Sequence, residues 1–191
     1  MKTLLLVSSL IVIFYSCTPE NPTPNPTPNP TANVAVGESY QGGIVAYILQ
    51  PGDPGYDANV QHGLIAAPSD QGNAEWGCYG TGISGADGGS IGTGNQNTIN
   101  IMNGCGTAGI AARLCGDLVL GGYSDWYLPS LDELKKLYLN KVDIGGFDTN
   151  GYWSSTEVDI TDAYNVYFNS GAVDTASKMA DGASVRAVRS F

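Results

Sequence analysis

Basic residues are scarce in this chain. Lys and Arg together number 8 against 18 Asp and Glu, and the formal net charge is −10. Nucleic-acid binding depends on Lys and Arg neutralising phosphates, so the composition argues against a nucleic-acid partner. The same charge argument disfavours sulfated polysaccharide. Histidine is scarcer still, with His62 alone. A Ser–His–Asp group would have to use it, and no nucleophile elbow surrounds it. Zinc has no support, because there is no C-x-x-C pair and His62 is distant in sequence from the cysteines. Paired carboxylates are uninformative in so acidic a chain. The resulting expectation is a protein without catalytic activity.

Long apolar runs are missing too, apart from Leu4–Phe14. That run is too short to span a bilayer and suits the core of a signal peptide. Met1-Lys2 precedes it as a short basic region, and Phe14-Tyr15-Ser16-Cys17 closes it. Small Ser16 before Cys17 reads as a lipoprotein cleavage site, although Phe14 departs from the usual Leu. Residues 1–16 are therefore expected to be a signal peptide, with Cys17 lipidated; an ordinary secretory peptide is the alternative. A lipidated N-terminal cysteine carries more than one chain, as stable anchoring requires. Residues 17–33 repeat Asn-Pro-Thr-Pro, a composition that favours extended polyproline II and cannot build a core. The segment reads as a stalk, and residues 34–191 as one folded domain of ordinary size. The expected location is the cell envelope, at the outer membrane or surface of a Gram-negative bacterium.

Besides Cys17 there are three cysteines, an odd number for an oxidising compartment. If Thr107–Leu118 is a straight helix, Cys105 and Cys115 stand about 15 Å apart, beyond the ~7 Å reach of a disulfide. Cys78–Cys105 is thus the preferred bridge, with Cys115 buried and reduced; the alternative leaves all three reduced.

Periodicity organises the rest. Gly43–Leu49 is apolar on both faces and predicts a central strand. Gly63–Ala67 predicts a second. Asn97–Met102 and Thr107–Leu118 predict helices, the latter with Ile110, Ala111, Leu114, Cys115 and Leu118 on one face. Ser130 and Glu133 form a capping box that starts a third helix, running to about Asn140 with Leu131, Leu134, Leu137 and Tyr138 on its apolar side. This helix reads as core scaffold. Strands follow at Tyr152–Glu157, Ala163–Asn169, Ala172–Thr175 and Ser184–Val188, the last with Val185 and Ala187 on one face and Arg186 and Val188 on the other. Strand, helices, then strands predict an α+β class.

The segment from Gly77 to Gly94 holds eight glycines. Within it Gly80–Gly85 matches G-x-G-x-x-G, but more loop follows and no helix, which argues against a dinucleotide fingerprint. Asp143, Asp148, Glu157, Asp159, Asp162, Asp174 and Asp181 crowd the last third. Acidic loops suit calcium, the one cofactor considered, though Asp148-Thr149-Asn150-Gly151 fails the EF-hand spacing. Trp76, Tyr79, Trp126, Trp153, Tyr164 and Tyr167 could stack on sugar rings.

Gly121–Leu134 (GGYSDWYLPSLDEL), Tyr152–Glu157 (YWSSTE) and Val185–Phe191 (VRAVRSF), in that order, resemble the Lcl-type C-terminal domain of collagen-like bacterial adhesins. The resemblance runs from about Val36 to Phe191. It is similar also to the major paralogous domain and, distantly, to formylglycine-generating enzymes. The resemblance implies a C-type-lectin-like fold with antiparallel strands, two or three helices, and the first and last strands paired. The reactive cysteines of the formylglycine-generating relatives have no counterpart, since no cysteine follows Cys115. The sugar-binding motifs of calcium-dependent lectins are also missing. Because Trp126 and Trp153 lie in signature segments, they are expected in the core. The expected function is recognition of a glycan or surface polymer, with a structural or protein-interaction module of an envelope assembly as the alternative. The expected site is shallow, built from the Gly77–Gly94 loop and the Asp-rich loops, and uses Trp76, Tyr79, Asp148, Asp159 and Asp162.

Overall fold

In the N-terminal hairpin Gln41 and Gly42 carry positive φ angles of 44° and 86°, and the chain reverses at once from β1 (Ser39–Tyr40) into β2 (Gly43–Ile48). The computed structural model describes residues 33–191; the leader, Cys17 and the Pro-rich segment lie outside the described residues. β3 (Gly63–Ala66) follows, then α1 (Gly94–Gly104), α2 (Ala111–Gly116), α3 (Leu131–Leu139) and α4 (Lys141–Ile144). Four strands close the chain: β4 (Gly151–Glu157), β5 (Asp162–Tyr167), β6 (Val173–Ser177) and β7 (Val188–Ser190).

The strands form two antiparallel sheets, ordered β1-β2-β3-β7 and β4-β5-β6. The architecture is α+β. β2 lies between β1 and β3, as its two apolar faces require. The pairing expected of first and last strands is corrected in one respect. They share a sheet, but β7 pairs with β3, through Leu64–Ser190, Ile65–Arg189 and Ala66–Val188. β3 is buried along its whole length and occupies the place beside β2. The chain ends still meet, with the Tyr40 and Phe191 rings edge to face at 5.4 Å.

Both faces of β4 and of the middle of β5 are covered, while β6 is exposed at the sheet's edge. Tyr152, Val166 and Phe168 join Leu134, Leu137 and Val188 in one apolar cluster. Trp153 and Ala163 face a second cluster, with Trp76, Trp126, Ile101 and Val185. Sheet alternation explains the division, since residues i and i+2 of a strand share a face. The two clusters also explain why Val185 and Ala187 part from Val188.

Ser184–Val188 is not a regular strand along its expected length. It runs extended beside the 67–74 segment, with bonds from Ala67 N–H to Ala187 O and from Gln71 N–H to Val185 O, and becomes ladder only at Val188. The helix expected from Thr107 begins later, at Ala111. Gly109 at φ 70° and extended Ile110 interrupt the helical path, so only the apolar register from Ile110 onward survives. Arg113 donates to the Met102, Cys105 and Thr107 carbonyls and ties α2 to the end of α1. Cys78 and Cys105 are joined by a disulfide, and Cys115 is free and buried on α2. Burial pushes the Cys115 thiol pKa well up, so it rests protonated.

Candidate functional site: an amide-lined cleft

The aromatic and charged signature segments of the sequence are engaged internally. Ser130 Oγ accepts from Glu133 N–H, and Glu133 accepts in return from Ser130 N–H at 2.8 Å, completing the capping box. Glu133 accepts also from Gly92 N–H at 2.8 Å, clamping the glycine-rich loop to α3. Burial raises its pKa despite these bonds. Arg189 makes two bonds to Asp125, at 2.7 and 2.8 Å, and lies 3.9 Å over the Tyr123 ring. Arg186 reaches Asp70 at 2.6 Å and the Ala67 carbonyl at 2.8 Å, and it covers the Phe147 ring. Tyr152 donates to the same Asp70 at 2.7 Å. Trp126 and Trp153 are buried and donate to the Leu120 and Ala74 carbonyls. Buried charges need a partner of opposite sign; Arg186 and Arg189 have one, and Glu133 is held by hydrogen bonds alone. The segments form the scaffold.

A different region is left open. Gly151 at the start of β4 stands opposite Tyr167 on β5, and Trp153 stands opposite Asn165. The four share one face. Trp153 fills the core there, while Gly151 lets Asn165 and the Tyr167 ring close in beside it. A Cβ at Gly151 would lie 3.1 Å from Asn165 Nδ2 and 3.4 Å from the Tyr167 ring. The 182–184 segment passes along the other side of β4, bonded from Ser184 N–H to Gly151 O at 2.8 Å. Gly182 adds no wall, since a Cβ there would meet nothing within 4 Å.

The outcome is a cleft of about 380 Å³ between β5, β6 and the 180–183 segment. Asn165, Tyr167 and Asn169 come from one side, Thr149 and Asn150 from the loop before β4, and Ala176, Ala180 and Ala183 supply methyl groups. No ionisable carboxylate or cation lines it. Asn165 is only 4% exposed, and its Oδ1 is buried with no hydrogen-bond partner. Such an atom costs about 1–3 kcal/mol, and it is the one buried side-chain N or O so left among the described residues. Tyr167 presents a partly exposed ring beside it.

Of the residues expected to bind, Trp76 requires a correction. It is fully buried, donates from Nε1 to the Ser154 carbonyl at 2.9 Å, and lies under Lys178 Nζ at 4.7 Å. Gly77, at φ +108°, packs its backbone against Ile110 and turns the chain so that the indole points inward. Lys178 is paired with Glu157, which accepts in turn from Ile83 N–H. Trp76 is therefore core and closes to ligand. Tyr79 is exposed at 52%. It neighbours the β4–β5 turn, where Gly80 N–H donates to Ile160 O at 2.7 Å.

Asp159 and Asp162 lie on that same turn. Asp159 accepts from the Thr161 N–H, the Thr161 hydroxyl and the Asp162 N–H, bonds that lower its pKa. Asp148 stands at the far end of the hairpin, next to Thr149, roughly 20 Å away along a seven-residue strand. The five expected residues are thus not brought together. Among the described residues no three His, Cys, Asp or Glu side chains converge as a cation site. The Gly77–Gly94 loop does not reach the cleft; it folds against α3 and β4, with Thr156 Oγ1 donating to Gly88 O. Tyr167 is among the aromatics that the sequence offers for sugar stacking. Asn165 carries no sequence signal, and Asn150 and Gly151 stand out only in the calcium-loop fragment that fails its spacing, because the cleft exists only where small residues meet across strands.

The geometry defines an α+β domain whose signature segments are engaged internally and which carries an uncharged cleft beside β5. The family model described as the Lcl C-terminal domain matches residues 80–189, from the glycine-rich loop to β7. The chain belongs to the Lcl C-terminal domain family, and the domain is of a surface or adhesin-like kind. β1–β3 precede the matched stretch, although β3 pairs with β7 inside it. No curated protein matches the chain. Among the described residues no helix is long and apolar enough to cross a membrane.

Proposed function

We propose that the protein is a non-catalytic, lipid-anchored domain of the cell envelope that recognises a neutral glycan in the cleft over Gly151. The uncharged cleft, lined by the Asn165, Asn150 and Asn169 amides beside a partly exposed Tyr167 ring, carries this reading. A sugar offers hydrogen-bonding edges to such amides and an apolar ring face to such an aromatic. The uncharged lining and the net charge of −10 favour a neutral polymer over a sulfated one. The anchor rests on Leu4–Phe14 and Ser16-Cys17, and calcium rests on the acidic last third alone.

An array of neutral and sulfated glycans tests the reading. The full chain should be retained by neutral glycans and lose retention on Tyr167→Ala. No retention on any glycan, or retention indifferent to Tyr167, would overturn it. EDTA in the same buffer tests calcium, with loss and recovery on adding the ion as the supporting result. Cys17→Ala should move the protein from the membrane to the soluble fraction. Unchanged fractionation would remove the anchor.

A protein partner is favoured by a second observation. Tyr79, Val158, Ile160 and Met179 are exposed apolar side chains on neighbouring loops, 40–59% accessible. Such a patch is where an envelope protein would dock. Ile160→Asp should abolish cross-linking to that partner and leave glycan retention unaffected.

A further inference from the structure

Asn-Gly occurs twice in the chain, at Asn103-Gly104 and at Asn150-Gly151. Both residues of the second pair line the uncharged cleft. We infer that Asn150 is a self-modification site, converted without an enzyme to aspartate or isoaspartate, so that the cleft gains a carboxylate with time.

The step needs a side-chain amide, the backbone nitrogen of the next residue, and room for the two to meet. The Gly151 nitrogen gives its proton to solvent base and attacks Asn150 Cγ. The Cγ–Nδ2 bond breaks, the leaving nitrogen takes up a proton, and ammonia departs from a five-membered succinimide. Water then adds to one of the two ring carbonyls. Opening on one side gives aspartate, and opening on the other gives isoaspartate. Water enters, ammonia leaves, and one neutral amide becomes one carboxylate, with no change of oxidation state.

The fold favours the step at Asn150. The residue is exposed and stands in a bend just before β4. Gly151 has no Cβ to hinder the approach of its nitrogen. The Asn150 carbonyl accepts from Phe168 N–H at 3.0 Å. In a trans peptide the following N–H points the opposite way, so the Gly151 N–H faces away from β5, toward the 182–184 segment. There Ser184 N–H reaches Gly151 O, but Gly182 O accepts from Asn73 Nδ2 at 3.2 Å. The Gly151 nitrogen is left without an acceptor among the described residues. The Phe168 bond is the restraint that must open. It lies at a strand end, where local opening is cheap, and it makes the folded chain slower than the unfolded one.

Asn103-Gly104 is the control that the chain supplies. It is also exposed. Gly104, however, is the last residue of α1, and helical N–H groups are spent on carbonyls four residues back. Its backbone also packs closely, since a Cβ there would lie 3.1 Å from Ile83 Cδ1.

The consequence for binding rests on the glycan reading above. No ionisable side chain lines the cleft before the step. Afterwards a charge stands among neutral amides, and covering it with a neutral ligand costs its hydration. Isoaspartate also adds one carbon to the main chain at the start of β4.

The experiment holds the full chain in mildly alkaline, ammonia-free buffer, with and without urea, and follows both sites by peptide mass spectrometry. In the folded chain Asn150 is expected to gain about one dalton at least tenfold faster than Asn103. In urea the two rates should agree within about threefold, because only the fold separates them. Asn150→Gln should abolish the gain at that position. Equal rates in the folded chain, or a faster Asn103, would overturn the assignment. Fresh and converted chains are then compared on the neutral-glycan array. Retention that falls in step with conversion supports the change in the cleft. Unchanged retention at full conversion would overturn that consequence while the modification stands. If no glycan retains even the fresh chain, the glycan reading fails, and the two mass-measured rates still decide the modification.

Discussion

Trp76→Ala separates a core indole from a binding one. The indole is fully buried, so truncation removes a large aromatic from the wall shared by Ile110 and Trp153. Core Trp→Ala substitutions cost about 3–5 kcal/mol. The Ser154 carbonyl also loses its buried donor, at about 1–3 kcal/mol. Lys178 retains Glu157, so no unpaired charge is added. The total, roughly 4–8 kcal/mol, is of the order of a whole domain's stability, about 5–15 kcal/mol. Trp76→Phe loses the donor and the five-membered half of the indole. It should cost less than Trp76→Ala but at least as much as the lost donor, about 1–3 kcal/mol, a fall of at least about 2 °C in melting temperature. Tyr79→Ala, at a half-exposed position, should stay within about 0.5 kcal/mol of the parent. Scanning calorimetry with urea melts followed by near-ultraviolet dichroism gives all three values. A Trp76→Ala protein melting within about 2 °C of the parent would refute the packing argument.

Asp70→Ala should cost about 3–5 kcal/mol, because it strands buried Arg186; urea denaturation reads this, and a loss under 1 kcal/mol would show the guanidinium satisfied by carbonyls alone. Reducing Cys78–Cys105 frees a loop of 27 residues' separation and should lower stability by about 3–4 kcal/mol, with Cys115 alkylated only in denaturant; rapid labelling of the native protein at Cys115 would contradict its burial. Glu133 is held above its ordinary value of 4.5 by burial, so the folded state binds the proton more tightly than the unfolded one. Its contribution is full below the unfolded pKa and is lost as pH rises through the folded one. Glu133→Gln should flatten the fall of melting temperature over that window, and an unchanged slope would assign the dependence to other groups.

The parts of the fold visible in the sequence were those fixed by neighbours along the chain. Ser130 and Glu133 are three residues apart and make their box from local geometry. Val185 and Ala187 separate from Arg186 by simple alternation, and both faces proved apolar enough to bury. The spacing argument for Cys78–Cys105 rests on a helix longer than the real one, yet α2 still carries Cys115, free and buried in the core cluster that also holds Cys105. Trp76 misled because it adjoins a glycine-rich loop, and the turn that buries it depends on Ile110, more than thirty positions away. The β3–β7 partnership likewise joins Leu64 to Ser190 across most of the domain. The cleft was least visible. Gly151, Gly182 and three alanines signal it by what they leave unfilled, and unfilled space has no local pattern. Nothing along the chain indicates that Asn165 ends without a partner.

The pairing of β7 with β3 also sets the order in which the molecule can come into being. Val188 belongs to one apolar cluster, Val185 and Ala187 to the other, and Arg189 fastens the hairpin that starts the domain through Gln41. Neither core can close before these residues are present, so nearly the whole domain must be synthesised while it is still an open chain. Contacts of such long range are slow to form. Machinery that takes up the chain from its N-terminus would receive a polypeptide with no finished core to unravel, and the completed tertiary structure would first appear on whichever side of a membrane the residues around Val188 arrive.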